Sequence, residues 1–590
     1  MTLSQRDDLQ DTCAGYESEM AQTGVDSFEP RALLAVGACV ALAKWAFASD
    51  RRIFHVYFDE PAQFAMARWL SGRQSWTLFD LDTWQPGYAL LIAPIYFVTD
   101  DVATVFRAVM VLNAVMGGVS AILLVFLTRR LTDVSRAACC GLATAISLLP
   151  MSLSASAVAW GEPLITLLFL AALLSMLRYL DNDDFRAGLL SLALAATAAL
   201  THGRMLPLVF VVAAIVIARE ARAGSVRQWR PWLTAGILAA SLVLTFSFSA
   251  FVRERVWETP GGENSIHSTL SRLADPTLVA SSFLGQLWYQ LVASALIFGI
   301  GTAVLVRRIV GPLASPLLIG RGRDALAVLA MTAPLLAVSV LFMARAGRPD
   351  FAIYGRYNDA VVGPILVVGL AWLWRVPACP PRRVVAMIGG CLAVTVATTL
   401  YVESRSGDAL GADLGLAPMV AGMLPFTDRG QSLSPILGAA VSIVVCSVLL
   451  GSRLLTMPRS EVVFGAVVTV LVFSAGGLTY SALRPVNEYE TASAVRVVRG
   501  IVPPDTAIGY HFVSRDEPSY VSMNAQRRAA LLYQAYLPDY EIVRDAGLDD
   551  GVGPFVFAPR LDPTLTEAGA VELWVAQDSG MALWREPVSP

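Results

Sequence analysis

The sequence predicts a polytopic α-helical membrane protein with a small α/β domain at its C-terminal end. Of its 590 residues, 55% are hydrophobic and only 15% are charged, and the mean hydropathy is +0.58. Soluble globular chains carry roughly 25% charged residues, so this composition favours a chain that lies largely in lipid. From residue 482 onward the composition becomes that of an ordinary soluble chain. We therefore expect the membrane part to end near residue 481.

Thirteen apolar runs are candidate membrane spans. A window of about 19 residues, the length used to detect spanning helices, finds them at 32–48, 103–127, 137–157, 163–180, 187–201, 204–218, 231–251, 282–306, 325–344, 357–374, 384–401, 434–452 and 461–480. The runs at 187–201 and 204–218 are shorter than the roughly 20 residues that a span prefers. Removing both as a pair would leave the orientation of the chain's end unchanged.

Arginine positions predict the orientation of these spans, because short cytoplasmic loops are enriched in Arg and Lys. If the N-terminus is cytoplasmic, every inside turn is basic: Arg129 and Arg130, Arg178 and Arg186, Arg219 to Arg230, Arg307 to Arg323, Arg375 to Arg383, and Arg453 with Arg459. An odd number of spans then places residues 482–590 outside the cytoplasmic membrane. The same outer side receives the loops that hold Asp59, Glu162, Arg204 and Arg356.

The sequence divides into three parts. Residues 1–30 are polar and acidic without the features of a signal peptide, and are expected to be a disordered cytoplasmic tail. Residues 31–481 form the transmembrane domain and residues 482–590 an extracytoplasmic α/β domain. The latter contains five predicted strands and one helix, at Thr506–Phe512, Tyr540–Val543, Pro554–Phe557, Val571–Val575, Met581–Trp584 and Ala525–Tyr536.

The first outer loop, about 49–102, contains two candidate interfacial helices. Pro61–Trp69 mixes apolar and charged positions at helical spacing, as a helix in the headgroup region does. Ala89–Val98 is apolar but too short to span, which indicates an interfacial or re-entrant segment. The loop is thus predicted to form a platform at the membrane surface.

Several classes of function and site find no support in the composition. The net charge of -3 offers no basic surface for nucleic acid. The seven cysteines indicate neither a disulfide framework nor a CxxC metal site, because they lie in or near apolar runs or in inferred cytoplasmic segments. They are Cys13, Cys39, Cys139, Cys140, Cys379, Cys391 and Cys446. A nucleotide-sugar donor is not required either, since no cytoplasmic soluble domain with a DxD pair is present.

Asp59 and Glu60 are the most informative residues, because two adjacent carboxylates follow the first apolar run. Desolvating such a pair costs several kcal/mol if it is unpaired, so stability does not explain its position. An arbitrary acidic pair is usually a solvated surface feature or a helix cap. Here its place on the predicted outer face indicates chemistry on that face.

Five short motifs occur in order on the predicted outer side. They are Phe58-Asp59-Glu60-Pro61, Gln85-Pro86-Gly87-Tyr88-Ala89-Leu90-Leu91-Ile92-Ala93-Pro94, Trp160-Gly161-Glu162-Pro163, Thr201-His202-Gly203-Arg204, and Gly355-Arg356-Tyr357 leading into Pro364. Over roughly residues 50–375 this order resembles the GT-C superfamily of membrane glycosyltransferases. The branches that it resembles are the protein O-mannosyltransferases, the aminoarabinose transferases and the actinobacterial arabinofuranosyltransferases. Glu162 follows Gly161 where those families have Ser, and two residues separate Thr201 from its arginine.

The resemblance implies transfer of a sugar from a polyprenyl-phosphate carrier to an acceptor hydroxyl, with inversion at the anomeric carbon. An inverting transfer needs a carboxylate base at the acceptor, for which Asp59 is the candidate. Glu60 would orient the acceptor, help to bind a metal, or face away. The leaving phosphate needs cations, and Arg gives the best bidentate contacts. The candidate donor-binding residues are Arg356, Arg204, Tyr357, Glu162, His202 and His55.

Simpler interpretations of these residues remain open. An arginine at a membrane boundary most often extends its charged end to the headgroups, and Glu162 before Pro163 is also typical of a helix start. A divalent metal is left undecided, because the four histidines are scattered. Mannose, arabinofuranose and an amino sugar are all compatible with the motifs, as are glycan, lipid and protein acceptors.

The alternative to an enzyme is a transporter or flippase for lipid-linked sugars. Its ionisable residues should lie near the middle of the spans, whereas the apolar runs here are nearly free of charge. A scaffolding protein would not need the acids and arginines gathered at one face. The sequence therefore favours a membrane enzyme.

Overall fold

The computed structural model describes residues 28–51, 54, 59–73, 78, 85–222, 229–257, 266–310, 322–345, 351–412, 417–428, 432–454, 460–483, 488–512, 523–537, 539–544, 553–576, 580–585 and 587. The described residues are mostly helical. In chain order the α-helices are α1 (Pro30–Ala48), α2 (Asp59–Leu70), α3 (Gly87–Ile92), α4 (Val102–Leu131), α5 (Arg136–Ser147), α6 (Pro150–Ser156), α7 (Glu162–Asn182), α8 (Phe185–Thr201), α9 (Leu206–Arg222), α10 (Trp229–Val256), α11 (Ile266–Ser271), α12 (Pro276–Ala293), α13 (Ile297–Val310), α14 (Gly322–Met343), α15 (Arg356–Asp359), α16 (Gly363–Trp374), α17 (Pro381–Ala412), α18 (Pro435–Leu454), α19 (Ser460–Ala482), α20 (Glu488–Ile501), α21 (Met523–Tyr536) and α22 (Pro563–Glu567).

Eight helices within the described ranges are long and apolar enough to cross a membrane, namely α1, α4, α7, α10, α14, α17, α18 and α19. The number rises to 10 if the bent pairs α5–α6 and α12–α13 each form one span. The remaining predicted runs form the shorter helices α8, α9 and α16, of 17, 17 and 12 residues. The prediction of a multi-pass helical membrane protein is confirmed.

Small residues allow the helices of the bundle to approach closely. In lipid the hydrophobic effect does not drive helices together, so close packing at small residues stabilises their association instead. α1 packs on α4, where a Cβ on Gly118 would lie 2.4 Å from the carbonyl oxygen of Gly37. α13 packs on α16 in the same way, because a Cβ on Gly369 would lie 2.1 Å from the Ile297 oxygen. A side chain at these glycines would force the helices apart.

Two of the predicted spans are broken rather than continuous. The axes of α5 and α6 differ by 63°, and Pro150 stands in the first turn of α6, where its missing N–H and fixed φ end the preceding helix. The axes of α12 and α13 differ by 107°, across Ala295 and Leu296, whose φ angles are 48° and 66°. The first break directs α6 towards the start of α7, where the candidate site lies.

The first loop forms helices, as predicted. α2 begins at Asp59, two residues before the predicted Pro61, so both carboxylates belong to its first turn. Four of its apolar residues are buried, so the helix packs against the rest of the protein. They are Ala62, Phe64, Met66 and Ala67. A 3₁₀ helix at Ala93–Phe97 continues α3.

The C-terminal domain contains a five-stranded sheet. Its strands are β3 (Ala507–Tyr510), β4 (Glu541–Arg544), β5 (Phe555–Pro559), β6 (Val571–Val575) and β7 (Met581–Arg585), while β1 (Thr427–Asp428) and β2 (Ser432–Leu433) form a separate hairpin. The strand order is β4-β3-β5-β7-β6. β3 pairs in parallel with β4 and β5, and β7 pairs antiparallel to β5 and β6. Every predicted strand is present within three residues at each end.

Candidate active site

Glu162, the first residue of α7, joins two arginines from distant parts of the chain. Its Oε1 accepts a 2.6 Å hydrogen bond from Nε of Arg356 and a 3.2 Å bond from Nη2 of Arg204. Its Oε2 accepts from Nη2 of Arg356 at 3.3 Å. Pro163 fixes the start of the helix, because proline in the first turn has helical φ and its missing N–H would be unpaired there anyway. The carboxylate is therefore held at the helix start and is only 2% exposed.

Arg356, at the start of α15, is the centre of the group. Besides the bidentate pair with Glu162, its Nη1 donates to Oδ2 of Asp59 and lies 3.5 Å from Sδ of Met419. Its guanidinium stacks over the ring of Trp160 at 3.9 Å from the centroid. A planar guanidinium makes such forked and stacked contacts at the same time, whereas an ammonium does not.

Arg204 lies in the 3₁₀ turn Gly203–Met205 between α8 and α9. Its guanidinium stacks over Tyr357 at 4.0 Å from the ring centroid. His202 caps the same turn, with Nδ1 accepting from the Arg204 backbone N–H at 3.3 Å, and its ring lies edge-on to Tyr357 at 5.3 Å. We call Asp59, Glu162, Arg204 and Arg356 the Glu162 cluster.

The adjacent carboxylates Asp59 and Glu60 point to different partners. Asp59 contacts Arg356, whereas Oε1 of Glu60 accepts a 2.6 Å hydrogen bond from the Ala159 backbone N–H. Successive residues on a helix face different directions, which explains the divergence. Glu60 therefore anchors the segment that precedes Trp160.

The Glu162 cluster balances two carboxylates against two guanidiniums in a buried setting. Burial alone would lower the pKa of Arg356, but Asp59 and Glu162 outweigh it and raise that pKa well above its usual range. For Arg204, burial prevails over Glu162 and lowers the pKa. Burial, assisted by Arg204 and Arg356, holds the pKa of His202 well below its usual range, so its imidazole is neutral at physiological pH.

Asp359, which the sequence analysis did not select, lies on the same short helix as Arg356. Its Oδ2 accepts from the Tyr289 hydroxyl at 2.7 Å and its Oδ1 from Nε2 of Gln290 at 3.1 Å. Burial, only partly offset by these bonds, raises its pKa to about 7. The Tyr289 oxygen also accepts from the Gly422 N–H at 2.8 Å. A signal was present in Arg356-Tyr357-Asn358-Asp359, since residues three apart lie on one helix face.

A cavity of about 70 Å³ opens beside the cluster. Trp160, Glu162, Arg356, Asp359 and Lys44 are among the residues that line it. Charged groups from three separate helices, α1, α7 and α15, thus line one concave surface. Such a surface, with a few convergent polar groups, is the usual form of a small-molecule site.

Two further expectations concern His55 and a metal ion. His55 lies outside the described residues. Over the part of the chain that the structure describes, no group of three or more His, Cys, Asp or Glu side chains is arranged to hold a metal ion. Apart from His55 and Glu60, six predicted site residues lie together in the structure. They are Asp59, Glu162, His202, Arg204, Arg356 and Tyr357.

Comparison with known proteins identifies the architecture of the chain. Residues 86–248, just over a quarter of the chain, match the dolichyl-phosphate-mannose-protein mannosyltransferase family. Two crystal structures of ArnT from Cupriavidus metallidurans align along nearly the whole length. The one bound to undecaprenyl phosphate has 13% identity, covers 94% of this chain and 98% of that chain, and has a TM-score of 0.50. The apo state has 15% identity, coverage of 93% and 97%, and a TM-score of 0.50.

The chain has the GT-C fold. The resemblance seen in the motifs is therefore confirmed, and together with the family match it bears out the prediction of a membrane glycosyltransferase. Arabinosyltransferase EmbB from Mycobacterium smegmatis also aligns, with 13% identity, coverage of 80% of this chain and 41% of that chain, and a TM-score of 0.42. Among curated proteins, none matches the sequence.

Proposed function

We propose that this GT-C protein transfers a sugar from a polyprenyl-phosphate donor to an acceptor hydroxyl, with inversion at the anomeric carbon. The contact between Asp59 and Arg356 in the buried Glu162 cluster carries the proposal. It places a carboxylate that can act as a base beside a guanidinium that can bind phosphate. Two names support the donor class: the ArnT structure contains undecaprenyl phosphate, and the matched family is named for dolichyl-phosphate-mannose.

Exchange of ion-pair partners would link donor binding to activation of the base. In the structure Nη1 of Arg356 is bonded to Asp59, while Nε and Nη2 are held by Glu162. A donor phosphate that takes over Nη1 releases Asp59, and Glu162 keeps the guanidinium in place. Asp59 becomes a free base only when its substrate is bound.

The reaction then follows from the residues. The acceptor oxygen forms a bond to the anomeric carbon as its proton passes to Asp59. The bond between that carbon and the phosphate oxygen breaks, and its electron pair stays on the phosphate. Arg356 and Arg204 stabilise the resulting charge, and the water-excluded setting strengthens their effect. Tyr357 and the neutral His202 keep Arg204 in position through the stacked and edge-on ring contacts.

Glu60 has a supporting part in this scheme. Its bond to the Ala159 N–H fixes the residue before Trp160, and Trp160 in turn stacks on Arg356. Through Trp160, Glu60 thus helps to position the guanidinium of Arg356. His55, placed in the same outer loop by the sequence, remains a proposed donor contact.

The sugar is proposed to be arabinofuranose or mannose, and the product part of a cell-envelope glycan. The test uses the purified full chain in lipid nanodiscs with arabinofuranosyl, mannosyl and aminoarabinosyl polyprenyl phosphates and candidate glycan, lipid and protein acceptors. Mass spectrometry of the products should show one sugar transferred, NMR of its anomeric proton should show inversion, and Asp59→Asn should slow product formation by about 10²-fold or more. Movement of intact donor between the leaflets of sealed proteoliposomes, without transfer, would replace the proposal with a transporter.

We also propose that the N-terminus is cytoplasmic, and that the Glu162 cluster and residues 482–590 face the outside of the cytoplasmic membrane. The basic turns predicted from the sequence support this orientation. A reporter fused after Pro590 should show an exterior location. A cysteine introduced near Asp59 should react with a membrane-impermeant reagent added from outside. Labelling of that cysteine from the cytoplasm alone would contradict an external reaction.

A further inference from the structure

Lys44 is the only lysine in the sequence and lies in the membrane-spanning helix α1. It is only 3% exposed, and among the described residues no carboxylate lies within ion-pair distance of it. Its Nζ instead donates to three oxygens of α6: the Ser152 carbonyl at 2.6 Å, Ser152 Oγ at 2.8 Å and Ser156 Oγ at 2.8 Å. A buried cation in a span is costly, and such residues usually serve function.

The fold leaves room for the Lys44 side chain at Gly117 of α4. A Cβ on Gly117 of α4 would lie 2.4 Å from Cδ of Lys44 and 2.7 Å from its Cε. Any residue larger than glycine at that position would therefore displace the lysine stem. α1, α4 and α6 together place Lys44 in the wall of the cavity that Arg356 also lines.

Hydroxyl groups near Lys44 have unused hydrogen-bonding capacity. Ser156 Oγ donates to the Ser152 carbonyl at 2.9 Å, so the lysine and Ser156 share that acceptor. Ser152 Oγ accepts from Lys44, and within the described chain its own proton has no acceptor. Ser120 is 7% exposed, and its buried Oγ has no hydrogen-bond partner among the described residues. Both serines line the cavity.

The size and chemistry of the cavity favour a small polyhydroxyl ligand. A volume of about 70 Å³ holds about five waters, if one water needs about 10–15 Å³. That is the scale of a single sugar and too small for a lipid chain. Sugar hydroxyls both donate and accept hydrogen bonds, and the lining offers partners for both: the hydroxyls of Ser120 and Ser152 and the carboxylates of Glu162 and Asp359.

We propose that the part of this cavity lined by Lys44, Ser120 and Ser152 is the subsite that recognises the sugar of the donor. The inference rests on the proposed function, because the donor phosphate at Arg356 places its attached sugar in the adjoining space. The hydroxyls of Ser120 and Ser152 bind the sugar hydroxyls, Lys44 holds Ser152 in place through its bonds to α6, and Gly117 leaves room for the lysine stem. Donor selectivity is thereby determined some distance from the base Asp59.

The test compares two ligands with the purified full chain in nanodiscs: the polyprenyl-phosphate sugar that the parent turns over, and polyprenyl phosphate without sugar. Lys44→Met and Ser120→Val should weaken binding of the sugar-bearing donor about tenfold or more, the usual effect of losing a bond to a charged or buried group. Binding of the sugar-free lipid should change less than about twofold. Val119→Ala, at the exposed neighbour of Ser120, is the matched control and should change neither.

Each result decides the inference. Selective loss for the sugar-bearing donor supports it, and Ser120→Val alone suffices if Lys44→Met does not fold. Equal loss for both lipids would make Lys44 a structural residue, and a change only in the KM of the acceptor would assign the subsite to the acceptor; either overturns it. If the parent binds neither lipid, the proposed function fails as well. If it binds both equally well, only this subsite is wrong.

Discussion

The two ends of α7 carry charge clusters of the same composition in different surroundings. Its first residue belongs to the Glu162 cluster, with two arginines and two carboxylates. Its last turn belongs to a second cluster, the Asp181 cluster, formed by Arg130, Asp181, Arg323 and Asp324. α7 rises about 1.5 Å per residue, so the two clusters lie about 30 Å apart along its axis. That distance equals the thickness of a bilayer core.

Burial distinguishes the two clusters. In the Asp181 cluster the side chains of Arg130 and Arg323 are 25% and 46% exposed, and Arg130 ties α4 to Asp324 of α14 through two bonds of 3.0 and 3.1 Å. Water screens the pairs that Asp181 makes, so each contributes about 0–1 kcal/mol, whereas Asp324 is 6% exposed and is the buried member of this cluster. Arg356, in contrast, is 3% exposed. Desolvating buried ions costs several kcal/mol each, so the Glu162 cluster is a poor device for stability and is better explained by function.

The largest expected difference between the clusters comes from Asp59→Asn. The amide keeps the shape of the side chain but cannot accept the proton, so turnover should fall by about 10²-fold or more. The matched control is Asp181→Asn, which should retain turnover within about twofold because no reaction occurs at that end. Initial rates with saturating donor and acceptor measure both. Turnover of Asp59→Asn within about tenfold of the parent would remove Asp59 from the role of base.

Arg356→Lys should weaken donor binding by about tenfold and leave the KM of the acceptor unchanged. A single ammonium cannot replace the fork that contacts Asp59 and both oxygens of Glu162. Arg130→Lys makes the same change in the Asp181 cluster and should leave donor affinity unchanged. Titration of a polyprenyl-phosphate donor measures both variants. Equal donor affinity in the two variants would assign Arg356 a structural role only.

The third prediction concerns pH and the neighbour of the Glu162 cluster, Asp359. Its pKa is raised from 3.8 to about 7 by burial, so the unfolded chain loses this proton at lower pH than the folded protein. The folded state therefore loses stability as pH rises from about 4 to about 7, and this penalty stays constant above it. Asp359→Asn should flatten that decline in thermal midpoints measured in detergent from pH 5 to pH 8. An unchanged slope in the variant would show that other groups cause the decline.

The smallest effect is expected for Arg130→Gln. Loss of the partly exposed pair with Asp181 and of the pair with the buried Asp324 should lower the free energy of unfolding by about 1–3 kcal/mol. Glycosyl transfer should be unchanged. A loss of activity comparable to that of Arg356→Lys would mean that burial does not separate the two clusters.

Sequence reasoning selected most residues of the Glu162 cluster because they belong to short motifs. Glu162, Arg204 and Arg356 each stand beside Gly or Pro at a helix boundary, where a local pattern marks a backbone requirement. The strands of the C-terminal domain were likewise located within a few residues, since their alternation and turns are local signals.

Long-range partners could not be predicted in this way. Asp59 and Arg356 are 297 residues apart in sequence, and Lys44 and Ser152 are 108 apart. Hydropathy also does not report the bends, because α5–α6 and α12–α13 read as continuous apolar runs. Asp359 was missed because its significance comes from burial against Tyr289 and Gln290, which only tertiary packing creates.

The packing of α21 has a consequence for the evolution and engineering of this enzyme. Leu531, Leu532 and Tyr536 of α21 belong to the same continuous core as the membrane bundle, and α21 packs on α2, the helix that begins with Asp59. The ring of Tyr536 lies 5.0 Å from that of Phe54. The C-terminal domain is consequently not an exchangeable module. A homologous domain grafted onto this bundle must reproduce the face of α21, or the chimaera will shift the helix that carries Asp59.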